Sequence, residues 1–465
     1  MRASDRPAVV LRYYLYRATS HSGFHYPIYT LFLLHNHLTF TQIGAIASIQ
    51  SIVVVTGEVP TGYIGDRVGR RNSLAIASVL FLVSNASYLV ATDFVGFTFT
   101  FVALSLGGTF VSGSASAWLY DTLEEHDISG EYTHVAGRAG AISKWVGAAS
   151  MVAGGLLYTM NVYYPFVAGV ALGVVNLALV LALPKNAQYA DRPVPSGTAD
   201  AADGPVEGPR ASAEGTASAT DGPTPPAAET GPSDDRSTDS NASDPGDDLT
   251  IVTALPLIRE QLSKPSMRWF IVYMALFGGA LMTADMYIQP IARDALRTSI
   301  GPTLNSWGIA EAATLGVLYA AFTAISAVVS DYAGDVEDRF GVRSTLVLIP
   351  LGIAFLYLLP PLVPLLAFPM FFVMKGGFTL VWPVSSRYMN DRIDSVGRAT
   401  VLSVASMLRA VAGIPFRIAS GVVADHTTTM LAVAALGATF IVSAVALVWF
   451  AEPVRAGTET ASPAD

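Results

Sequence analysis

A chain of 465 residues that is 52% hydrophobic and only 14% charged is too apolar for a soluble domain of this size, so most of it must be solvated by lipid. Its formal net charge is −9, and no nucleic-acid partner is expected. The lack of cysteine excludes disulfides, thiol nucleophiles and thiolate metal sites.

Crossing a hydrocarbon core of about 30 Å takes roughly 20 apolar residues per helix. Runs of that kind predict twelve crossings, near residues 12–34, 41–64, 73–92, 95–119, 139–160, 165–184, 268–290, 308–330, 344–360, 365–388, 399–424 and 429–450. The predicted fold is an all-α membrane protein with twelve transmembrane helices. Cytoplasmic loops are enriched in Lys and Arg. Arg2, Arg6, Arg12, Arg67, Arg70, Arg71, Arg138, Arg339, Arg343, Arg387, Arg392, Arg398 and Arg455 fall on one side, with the stretch from Lys185 to Arg268, against Arg293 and Arg297 opposite. Both termini are therefore expected in the cytoplasm, with the chain in the cell membrane. No small-x-small cleavage site follows the first apolar run, so a removed signal peptide is not expected.

Between Lys185 and Asp248 the chain turns to Ala, Gly, Pro, Ser, Thr and Asp, with 13 acidic residues against 4 basic. Such a stretch cannot repay the entropy of ordering and reads as a disordered linker. This divides the chain into an N-terminal six-helix half (1–184), an acidic cytoplasmic linker (185–250), a C-terminal half (251–452) and a flexible tail (453–465). The C-terminal half opens on an amphipathic stretch, "IVTALPLIREQLSK", expected to lie along the membrane surface. The linker's net charge of −9 equals that of the whole chain, and only Lys144, Lys185, Lys264 and Lys375 are lysines. An acidic, lysine-poor chain points to the salt-rich cytoplasm of a halophilic prokaryote.

The two halves echo each other. "GYIGDRVGRRNSL" (62–74) and "VEDRFGVRSTL" (336–346) share an Asp-Arg-x-Gly-x-Arg core, with Asp66 and Asp338 272 residues apart. "GRAGAIS" (137–143) and "GRATVLS" (397–403) open the fifth and eleventh crossings, and Pro27-Ile28 is matched by Pro290-Ile291. Three matches in order predict a parallel duplication, two six-helix halves related by a pseudo-two-fold axis.

The block "EVPTGYIGDRVGRR" (58–71) resembles the loop signature of the major facilitator superfamily, Gly-x-x-x-Asp-Arg-x-Gly-Arg-Arg, matched at Gly62, Asp66, Arg67, Gly69, Arg70 and Arg71. A degenerate copy, here Asp338 and Arg339, is also usual in that family. The resemblance implies a secondary transporter that moves a small solute by alternating access; a monomer without a cofactor is expected, with protons or another ion as candidates for coupling. The fifth crossing, "GAISKWVGAASMVAGGLLY", lacks the proline of the family's drug/proton antiporters, which demotes efflux to an alternative. A non-transporting receptor is a weaker one, since the only long soluble stretch is disordered. No HExxH, GxSxG or P-loop pattern supports an enzyme or direct use of ATP.

The resemblance also implies a role for the loop carboxylate. Asp66 would accept hydrogen bonds from free N–H groups at the start of the eleventh crossing, near Gly397 and Arg398, as a latch closed only when the cytoplasmic side is closed. By symmetry Asp338 would cap the fifth crossing near Gly137 to Ala139. Inside the apolar runs lie Arg17, Glu58, Lys144, Asp285, Lys375, Arg409 and Arg417, each costing roughly 2.5–3.5 kcal/mol at mid-membrane. Lys375 and Arg409, about ten residues into their runs, are the leading substrate contacts, with His25, Asp285 and Arg417 as further ones. Their excess of positive charge points to an anionic or zwitterionic substrate. For proton coupling, His21 and His25 on the first crossing compete with Asp285 on the seventh, and with no coupling at all. Pro415 predicts a bend between Arg409 and Arg417.

Overall fold

The computed structural model describes residues 8–20, 23–186, 265–299, 311–393 and 398–454, and among these it contains fourteen α-helices and no strand. The N-terminal set is α1 (Ala8–Thr19), α2 (Tyr29–His35), α3 (Phe40–Val68), α4 (Arg70–Ser87), α5 (Phe94–Glu124), α6 (Tyr132–Met160) and α7 (Tyr164–Leu181). The C-terminal set is α8 (Pro265–Asp285), α9 (Ile288–Ser299), α10 (Glu311–Asp331), α11 (Ala333–Leu356), α12 (Ala367–Asn390), α13 (Arg398–His426) and α14 (Thr429–Ala451). Most of the predicted linker and all of the amphipathic stretch 251–264 lie outside the described residues. Asn186, counted with the linker, is instead buried and donates from Nδ2 to Thr122 Oγ1 at 3.2 Å.

Ten of these helices are long and apolar enough to cross a membrane. They match ten of the twelve predicted crossings. The first predicted crossing is split into α1 and α2, and the third, α4, opens on the polar turn Arg70 to Ser73. The seventh is long enough as α8, yet it too is interrupted, after Asp285, before α9 begins at Ile288. The Pro-Ile echo marks these two breaks, since Pro27-Ile28 immediately precedes α2 and Pro290-Ile291 lies in the first turn of α9.

Local sequence sets several helix ends. Thr39 caps α3 in a reciprocal pair with Gln42, Asp93 accepts from Gly96 N at 2.8 Å to start α5, and Thr428 caps α14. The repeated loop motif has a backbone reason of its own. Gly69 joins α3 to α4 at φ 91, ψ 147, and Gly341, the same motif position, kinks α11 at φ 75, ψ 155. That region of backbone space is nearly closed to residues with a Cβ.

Helices α1–α7 pack among themselves, α4 on α5 and α7, α3 on α5, α1 on α6; α8–α14 do likewise, α8 on α13 and α14, α11 on α12 and α14. Between the two sets the main contacts are α3 with α13 and α6 with α10, with a smaller one of α2 on α9. In the six-plus-six count these are second with eleventh and fifth with eighth, pairs that a two-fold axis exchanges. Two glycines let these backbones approach: a Cβ on Gly44 would stand 2.5 Å from the Arg417 carbonyl oxygen, and one on Gly316 2.5 Å from that of Met151. Gly44 and Gly316 are 272 residues apart, the same offset as Asp66 and Asp338, so the duplication reaches into the packing.

Candidate functional site at the junction of the two halves

The helices alternate in direction, so the bundle has a terminal end, where Ala8 and Val454 lie, and a far end, where α3 begins and α13 finishes. Where the first and seventh crossings break, α2 and α9 meet across the halves. The Gln289 side chain fills the junction: Oε1 accepts from Thr30 N at 2.8 Å and Leu31 N at 3.3 Å, and Nε2 donates to the Tyr26 carbonyl at 2.9 Å. One amide thus satisfies N–H groups in the first turn of a helix in the other half.

One turn before Gln289, Asp285 forms an ion pair with Lys375 of α12, and the Tyr26 hydroxyl donates to Asp285 Oδ2 at 3.5 Å. Tyr26 also meets Tyr319 of α10 edge to face, with centroids 5.4 Å apart. A paired Asp and Lys cost far less at this depth than two separate charges. The pair therefore answers for two of the seven charges inside the apolar runs.

Lys375 and Arg409 do not meet at one depth. Their helices run in opposite directions, so by the rise of an α-helix Lys375 lies roughly 12 Å and Arg409 roughly 25 Å from the far end. Arg409 lies over the Trp382 ring instead, its guanidinium carbon 4.3 Å from the ring centroid. Arg417 is spent on the junction, donating from Nη1 to the Ala47 carbonyl at 3.0 Å and to Ser51 Oγ at 2.6 Å. Its guanidinium lies 3.3 Å from where a Cβ on Gly413 would be, so that glycine makes room for it. Helix α13 runs unbroken through Pro415.

His25 is half-buried in an aromatic cluster, its ring 5.5 Å from Tyr88 and 5.9 Å from Phe166, and its buried Nδ1 has no hydrogen-bond partner among the described residues. His21 lies outside the described residues. Arg17 closes α1, and Glu58 opens on a cavity near the terminal end with Thr61, Gly62, Asp66 and Arg70.

The loop signature lies at the terminal end and is bonded within its own half. Asp66 pairs with Arg70 at 2.8 Å, Arg67 donates to the Tyr63 hydroxyl at 3.1 Å, and Arg71 donates to the Leu181 carbonyl at 2.7 Å. The Asp66 side chain is 62% exposed. In the second copy Asp338 and Arg339 are exposed, and the ion pair of that region is Glu337 with Arg387 at 3.1 Å. The predicted capping of Gly137 to Ala139 by Asp338 needs correction. Helix α6 begins at Tyr132, five residues early, so those residues lie in its second turn, where N–H groups bond within the helix. Arg398 does open α13, while Gly397 lies outside the described residues.

An aspartate-to-helix contact between halves does exist, at the opposite end. Asp425, in the last turn of α13, accepts from Phe40 N at 2.7 Å through Oδ1 and from Thr41 N at 3.0 Å through Oδ2, capping α3. Sequence reasoning missed Asp425 and the bonding of Gln289 across the halves. On α3, hydrogen bonds to the other half run from Phe40 to Ser51; among the described residues none is made from Ile52 to Val68.

A bundle of two helical halves, with charges held at membrane depth along the seam, has the build of a membrane transporter. The sequence profile of the Major Facilitator Superfamily matches residues 20–416, and the chain belongs to that family. It is 26% identical over 145 residues to the uncharacterized MFS-type transporter YxaM of Bacillus subtilis (strain 168), covering 31% of this chain and about a third, 35%, of that protein. Its fold is shared with a mutant of the nucleoside transporter NupG, at 13% identity and TM-score 0.72, over 95% of this chain and 99% of that one. A bacterial homolog of the human lysosomal transporter Spinster, solved inward-facing and unoccupied, matches at 13% identity and TM-score 0.61, over 96% and 95% of the two chains.

Proposed function

We propose that this protein is a secondary transporter that moves a small anionic or zwitterionic solute by alternating access, with both termini cytoplasmic. The observation that carries this reading is the asymmetry of the junction. Gln289, Arg417, Asp425 and the Gly44 contact tie the halves together at the far end, while Asp66 at the terminal end is turned to its own half. Such an arrangement corresponds to a protein closed outside and open inside, the state named for the Spinster homolog.

In this reading Arg409, a membrane-depth cation that lies over an aromatic face and makes no hydrogen bond or ion pair among the described residues, attracts the substrate's negative group. Asp285 is the coupling carboxylate. Of the proton candidates among the described residues, it alone touches both a cation, Lys375, and a residue of the opposite half, Tyr26. Protonating it would release Lys375 and weaken the Tyr26 contact, which links proton occupancy to the junction.

The chain has no cysteine, so introduced pairs can be read cleanly. At the far end the Asp425 side chain reaches the start of α3, its Oδ2 accepting from Thr41 N at 3.0 Å. Cysteines placed at Thr41 and Asp425 should form a disulfide that locks the far end shut. A third cysteine at Thr379 should then react with a membrane-impermeant maleimide from the terminal side only, and from both sides after reduction. Labelling from the far side that is unaffected by the disulfide would refute alternating access.

A further inference from the structure

The contact between Arg409 and Trp382 spans two helices whose backbones do not pack extensively: α13 lies on α3, α8 and α14, and α12 on α10 and α11. Trp382 stacks in turn on Phe378, one turn earlier on α12, with centroids 5.6 Å apart and planes 30° apart. All three side chains are half-buried, so they border open space.

A guanidinium lying on an aromatic ring uses its face for the attraction and keeps its N–H donors in its own plane. Arg409 makes no hydrogen bond or ion pair with the described residues. Its donors, in a half-buried apolar setting, therefore need acceptors from outside the protein. Carboxylate and guanidinium pair best fork to fork, the two groups coplanar. A carboxylate paired with Arg409 is therefore held beside the Trp382 ring. If that carboxylate is conjugated to a flat ring, the ring can lie against the stacked Trp382 and Phe378 faces. An aliphatic carboxylate would meet the same fork but would not present a flat face to the two rings.

Resting on the transport reading for its setting, we infer that Arg409, Trp382 and Phe378 form a binding site for planar carboxylates, in which the acid group is conjugated to an aromatic or otherwise flat system. Arg409 supplies the bidentate anchor and the two rings supply selectivity for flatness. Lys375, neutralised by Asp285, is not the anchor.

The test uses purified full-length protein in detergent and radiolabelled benzoate, with cyclohexanecarboxylate and benzamide as competitors. Benzoate should bind, displaced at least ~10-fold more weakly by cyclohexanecarboxylate, which is not flat, and by benzamide, which has no charge. Arg409→Gln should weaken binding ~10-fold or more, and Arg409→Lys should weaken it as well, because the point charge lacks the fork. Trp382→Leu should remove the preference for benzoate over cyclohexanecarboxylate while leaving charge selectivity. Equal displacement by the two acids, or benzoate binding unchanged in Arg409→Gln, would overturn the site. Melting temperatures of the variants separate lost binding from lost folding. Binding in detergent does not depend on movement of the halves, so this site and alternating access can fail separately.

Discussion

The two ends of the α3–α13 pair are built alike and occupied differently. The helices run antiparallel, and each carries an aspartate in its last turn, Asp66 two residues before the end of α3 and Asp425 one residue before the end of α13. Each of these carboxylates lies on the helix that ends where the other begins. At the far end the contact is made, Asp425 bonding the first N–H groups of α3. At the terminal end it is not, and Asp66 pairs with Arg70. The comparison teaches that the signature aspartate has a counterpart, outside any recognised motif, which makes at the other mouth the helix-start contact proposed for Asp66. Helix starts favour negative charge by about 0.3–2 kcal/mol, so under the proposed alternating access either contact would bias the equilibrium without locking it.

Substitutions at the far end should open it, and a pair of labels at Thr92 and Thr427 should lengthen in proportion. Gln289→Leu carries the largest expected effect. It strands the Thr30 and Leu31 N–H groups and the Tyr26 carbonyl in a closed junction, at about 1–3 kcal/mol for each buried group left unpaired. Water would satisfy them when the far end opens, so the open population should rise by ~100-fold or more. Next comes Gly44→Leu, whose side chain would collide with the Arg417 carbonyl; overpacking of about 1–3 kcal/mol corresponds to a shift of ~5- to 150-fold. Gly316→Leu, its counterpart in the duplication, should behave alike, and a far-end distance that responds to one glycine but not the other would break the symmetry. Smallest is Asp425→Ala, which removes one cap worth about 0.5–2 kcal/mol and should shift the same distance distribution ~2- to 30-fold.

How much of this was legible depends on how each signal stands out against an apolar background. Asp66 and Asp338 are visible because charges are scarce there, and Gly69 and Gly341 because they sit in the same repeated core. Their shared positive φ is the physical reason the glycine recurs. Gly44 and Gly316 are hidden among 40 glycines, although they keep the same offset. Asp285, Lys375, Arg409 and Arg417 can each be picked out as membrane charges, but which cation meets which partner depends on helix direction and neighbour, and linear spacing carries neither. Gln289 and Asp425 bond partners 258 to 385 residues away, so no local pattern announces them. The start of α6 was misjudged because residues 132–138 are polar enough to read as loop while still helical.

The reciprocal arrangement is tested most directly by the distance between labels at Ser129 and Asp391, one on each half at the terminal end, in the unmodified background, in Asp66→Asn and in Asp425→Ala. The two substitutions should act with opposite sign: Asp425→Ala should favour the shorter, terminally closed population, and Asp66→Asn the longer, terminally open one. Shifts in the same direction, or a distribution that ignores Asp425→Ala, would contradict it and leave Asp425 as an ordinary helix cap.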